Sequence, residues 1–169
     1  MNTKHLVSRQ PLLLASACVL ACAAATPVRA FNWQADSNGL EGTWQTQVAL
    51  HDCQSGAAIG VPFYSLLTFA DGGTLVETTA NALFFPAIRG PGHGVWSRTQ
   101  HKRQFQAASL AFVTMNGALV KTQKISQTIV LEPGGDGFTT PKADIQFFDP
   151  AGNLVATGCA TAVGVRFDP

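Results

Sequence analysis

The chain has 169 residues, 46% of them hydrophobic and only 12% charged, with eleven basic and ten acidic side chains. So balanced a composition offers no electrostatic footprint for nucleic acid or an anionic membrane surface. The length suits one domain with one core, and four cysteines in so short a chain make compartment and cross-linking the first questions.

Residues 1–30 read as a signal peptide. Lys4 and Arg9 give a basic start, residues 11–25 an apolar run too short for a membrane span, and Val28-Arg29-Ala30 a cleavage signal. The expected location is therefore periplasmic or secreted, after cleavage near Ala30. The alternative is a lipoprotein, since Val19-Leu20-Ala21-Cys22 resembles a lipobox with Cys22 as the lipidated residue. Residues 31–169 are then a single domain with eight basic and ten acidic side chains. Cys53 and Cys159 remain as an even pair, which in an exported chain reads as one disulfide.

In chain order, residues 42–52 alternate, with Trp44, Thr46, Val48 and Leu50 on one face. Residues 61–70 form a second β-forming run, Asp71-Gly72-Gly73 a hairpin turn, and residues 74–79 the return strand. Residues 81–94 (NALFFPAIRGPGHG) are predicted to be irregular, because two prolines and three glycines interrupt any ladder. Strands are predicted again over 95–100, 103–115, 120–131, 138–148 and 154–167, separated by short turn sequences such as Asn116-Gly117. No long window after residue 30 keeps a helical period. Eight successive strands with hairpin-length connections predict an all-β, eight-stranded antiparallel up-and-down barrel, because closure removes two exposed edges.

The cysteines test closure. If Cys53 and Cys159 face each other across antiparallel first and last strands, Trp44 faces Asp168, and Arg166 is its diagonal neighbour. That places a guanidinium within reach of an indole. Leu40-Glu41-Gly42-Thr43-Trp44 on the first strand, with Arg166 on the last, resembles the lipocalins and the wider calycin group. The resemblance implies that Trp44 and Arg166 pack together as structural residues at the closed end of the barrel. A middle motif of the Thr-Asp-Tyr kind is missing. Gly42-Thr43-Trp44 also looks like the start of an avidin-type barrel, whose ligand pattern is not recognisable in the rest of the chain.

Small residues at inward-capable positions, among them Ala107, Ser109, Ala111, Ala156, Gly158, Ala160 and Ala162, predict a cavity rather than a filled interior. The expected function is exported binding or carriage of a small, mostly apolar or aromatic molecule. Tyr64, Leu66, Trp96, Arg98, Phe112 and Phe148 are the expected ligand-lining residues. An enzyme of cyclase or isomerase type is the first alternative, with Glu77, His93 and Arg98 as candidate catalytic groups. Glu77 is either an inward acid or a residue of the wet face, and His93 either faces a ligand or solvent. A protein-binding module, such as a protease inhibitor using Phe84, Phe85 and Ile88, is the second alternative. His51, His93 and His101 lack metal spacing, and no phosphate loop or nucleophile elbow occurs, so neither metal nor cofactor is expected.

Overall fold

A computed structural model describes residues 39–167; the signal-peptide and lipobox readings, and Asp168, fall outside them. Eight strands follow one another: β1 (Gly42–His51), β2 (Ala58–Ala70), β3 (Thr74–Ala80), β4 (Ile88–Arg98), β5 (Gln104–Met115), β6 (Ala118–Leu131), β7 (Gly137–Phe148) and β8 (Leu154–Arg166). Each pairs with its sequence neighbour and β1 pairs with β8, so the sheet is a closed antiparallel up-and-down barrel. One short 3-10 turn (Ala82–Phe84), capped by Asn81 accepting the Leu83 N–H at 2.9 Å, bridges β3 and β4.

Two expectations need correction. The β1–β8 ladder pairs Trp44 directly with Arg166 and His51 with Cys159, two residues away from the expected register. Cys53 lies beyond the end of β1 and reaches Cys159 diagonally, with a Cα–Cα distance of 5.2 Å. A shift of two preserves the face of every side chain, which is why the indole and the guanidinium still meet.

The second correction concerns β4, which runs through the stretch expected to be irregular. Gly92 and Gly94 are there because the barrel wall leaves no room for side chains. A Cβ on Gly92 would sit 2.6 Å from Glu77 Cγ, and one on Gly94 would collide with the Ala108 backbone. Gly90 and Pro91 are absorbed in a register shift between Arg89 and Gly92, where a missing N–H is tolerated. Residues 88–94 are therefore part of the sheet and not a free contact loop.

The core occupies one end. Trp44, Phe69, Phe105, Ile129, Leu131 and Phe138 are essentially solvent-free, and the Trp44 and Phe138 rings meet edge to face at 5.0 Å. Trp96 packs against this plug through Phe69 and Phe105. Arg166 lies over the Trp44 ring at 4.2 Å. Its guanidinium donates to the carbonyls of Glu41 (2.7 Å), Gly39 (3.0 Å) and Gly135 (2.9 and 3.0 Å). One side chain thus ties the lead-in to β1 and the β6–β7 loop across the plug. Gly42 completes the arrangement, with φ +122° and a would-be Cβ only 2.8 Å from Arg166 Nη1.

Candidate functional site

Above the plug the inward side chains change character. On six of the eight strands the first inward position above the core residue is polar: Thr46 after Trp44, Ser65 before Leu67, Glu77 after Leu75, Ser109 after Ala107, Gln127 before Ile129, and Thr140 after Phe138. Beyond this belt β8 contributes Gly158, Ala160 and Ala162, and β7 contributes Ala143, all too small to fill the interior. The result is a cavity of about 570 Å³ in the open half, within the usual range for a small-molecule site. Its walls are mainly apolar, formed by Val48, Leu50, Phe63, Ile125, Ile145 and Phe147. The residue 81–87 connection covers the mouth, where Phe84 meets the Phe147 ring at 6.4 Å and Phe85 is exposed.

A charged pair is built into this interior. Arg89 donates to Glu77 Oε1 and to Gln123 Oε1, and its Nη1 reaches the Gly90 carbonyl at 3.2 Å. Both members of the ion pair have side chains at most 5% exposed. Burial pulls Arg89 down to about 10, still far enough above neutrality that the guanidinium keeps its charge and needs its carboxylate partner. Elsewhere in the belt, Ser65 Oγ donates to the Thr78 carbonyl at 3.1 Å and lies 3.0 Å from Thr79 Oγ1. Thr140 donates to Gln127 Oε1 at 3.4 Å. Thr46 differs: it is 2% exposed, and its hydroxyl is the buried side-chain polar atom, among the described residues, that makes no hydrogen bond.

Of the expected ligand-lining and catalytic residues, the structure brings Glu77 alone into the cavity lining, while Gly158, Ala160 and Ala162 of the small-residue set line it as expected. Tyr64 (55% exposed), Leu66 (51%) and Phe112 (58%) point outward. Their neighbours Phe63, Ser65 and Val113 take the inward positions, so the expected face of β2 is off by one residue, and on β5 Phe112 is out while Ala107, Ser109 and Ala111 are buried as expected. Phe148 is likewise replaced by Phe147. Trp96 belongs to the plug and donates its indole N–H to the Ala70 carbonyl at 3.0 Å. Arg98 sits over the Phe105 ring at 4.7 Å, at the closed end, and His93 is exposed on the outer face of β4. The three residues proposed together as catalytic candidates are therefore not assembled in one place.

Arg89, Gln123 and Thr46 line the cavity but are not among the expected site residues, although Thr46 is expected on the face of Trp44. Gln123 continues the odd-numbered inward series Leu131, Ile129, Gln127 and Ile125, a pattern visible in the sequence. Arg89 is different, because Gly92, Gly94 and Trp96 share one parity and only the bulge brings residue 89 inward. Among the described residues no group of His, Cys, Asp or Glu is placed to hold a metal ion. No helix of the described chain is long and apolar enough to cross a membrane. No protein-family model matches the chain, and no curated protein matches it.

Proposed function

We propose that this barrel binds or carries a small, mostly apolar molecule in the cavity of its open half, acting outside the cytoplasm. The observation that carries this reading is the void itself: an interior that is filled at the plug is left open above it, where β7 places Ala143 and β8 places Gly158, Ala160 and Ala162 in positions that large side chains would fill. Packed interiors do not leave such space without an occupant or a cost in stability. The lipocalin-like signature supports the reading, since Gly42, Trp44 and Arg166 meet at one end and leave the other open. The Cys53–Cys159 bridge is compatible with an oxidising compartment.

A second reading, a cyclase or isomerase that shapes its substrate, draws on the buried Glu77–Arg89 pair facing the cavity. A carboxylate already engaged by a guanidinium is a poor proton donor, which ranks this below simple binding.

The test is mass spectrometry of protein purified from an exporting host, native and denatured in parallel. A native mass exceeding the denatured one by a small-molecule increment is expected. A protein that stays empty after incubation with extracts of its own host would overturn the carrier reading. The denatured mass also reports cleavage after Ala30 and lipidation at Cys22.

A further inference from the structure

An apolar cavity needs no polar floor, and this one has a floor of polar side chains on six strands. Burying hydroxyls, amides and a charged pair costs stability unless each is satisfied. Most of the belt satisfies itself: Ser65 with β3, Thr140 with Gln127, and Arg89 with Glu77, Gln123 and Gly90. The Thr46 hydroxyl does not. It is buried, and it is the deepest of the cavity-lining residues of β1, directly above Trp44. Valine, of nearly the same shape, would fill that position without the penalty.

The charge of the belt narrows what could meet it. Glu77 and Arg89 neutralise each other, so the floor offers hydrogen-bonding groups but no net charge. An anionic head entering here would lose its hydration and meet a guanidinium already held by a carboxylate. A cation would meet the reverse. Lys121, the basic residue of the cavity lining nearest the start of β6, is exposed and lies 5.9 Å from the centre of the Phe147 ring, so it serves the mouth and not the floor.

Resting on the carrier reading of the cavity, we infer that the ligand is an apolar molecule with one uncharged hydrogen-bonding head, an alcohol or a carbonyl, seated head-down on Thr46 and the polar belt. The apolar body then fills the space between Val48, Ile145 and Phe147, and its tail lies under the residue 81–87 connection.

The experiment compares 1-decanol, decanoate and 1-chlorodecane, three probes with the same chain and different heads. Binding is followed by displacement of Nile red and, independently of the dye, by the rise in Tm. The wild-type protein is expected to bind decanol about tenfold more tightly than either of the others, the worth of one good hydrogen bond. In Thr46→Val, checked for native circular dichroism, that preference should fall severalfold while chlorodecane binding holds. Decanoate binding as tightly as decanol would overturn the neutral head. Chlorodecane matching decanol, or a preference unchanged in Thr46→Val, would overturn the seat at Thr46. Failure of all three probes and of Nile red would instead bring down the carrier reading on which the inference rests.

Discussion

The same eight strands build two unlike halves, and the surroundings of one arginine in each show how unlike. At the closed end Arg166 stacks on Trp44 and spends its donors on backbone carbonyls of Gly39, Glu41 and Gly135. Those carbonyls are fixed by the chain and the guanidinium edge is still partly wet. In the open half Arg89 is sunk in the wall and depends on the side chain of Glu77. The first arrangement holds segments of chain together, so it reads as architecture. The second adds nothing that a pair of apolar residues could not supply, and it borders a void. Where a fold accepts cost without structural return, binding is the natural place to look for the return.

The contrast is sharpest in the pair itself. Arg89→Met should destabilise by about 3–5 kcal/mol, because it strands the Glu77 carboxylate in the wall. The double variant Arg89→Met with Glu77→Leu should recover to within about 1 kcal/mol of wild type. Urea unfolding of the singles and the double decides it, and a double no better than the single would make the pair structural after all.

Truncation on each side of the belt comes next. Phe138→Ala, in the plug, should cost about 3–4 kcal/mol. Phe147→Ala, on a wall that already faces open space, should cost less than half of that, since little new cavity is made. Equal losses in thermal or urea unfolding would mean the two halves are packed alike. Replacing Cys53 and Cys159 by serine should cost about 3–5 kcal/mol, as expected for a bridge closing a loop of this length. The loss should appear as faster hydrogen exchange at the open ends of β1 and β8, leaving the Trp44 end of that ladder protected.

The smallest effect has the opposite sign. Thr46→Val should raise stability by about 1 kcal/mol, by removing a buried hydroxyl without a partner. A drop in Tm would show that the hydroxyl is satisfied in the free protein and would weaken its claim as a ligand contact.

Much of the architecture was legible because alternation and turn residues mark strands independently of their partners. The strand number, the closure and the disulfide follow from that level. Even the register error of two left each β1 and β8 side chain on its own face. The site was far less legible, for two physical reasons. Phe63-Tyr64, Leu66-Leu67, Phe112-Val113 and Phe147-Phe148 put large apolar residues on both sides of the wall, so hydrophobic pattern does not say which side is inside. And Arg89 is turned inward only by the bulge at Gly90 and Pro91, whose position depends on how β4 fits against β5. A glycine-rich run looks like a loop until the side chain it must clear, here Glu77, is known to lie against it.

The closing ladder has a consequence for the order of folding. Seven of the eight strand pairings join neighbours in sequence and can form as hairpins, with a modest loop-closure penalty. The pairing of β1 with β8 brings Trp44 to Arg166 across almost the whole domain, and it must wait until the last strand is available. Until then the meander has two bare edges, the state in which sheets are most prone to associate with one another. The protein's one described cross-link, Cys53 to Cys159, spans this same junction. Oxidation therefore does more than strengthen the finished barrel: it keeps the two edge strands tethered to each other once they have met.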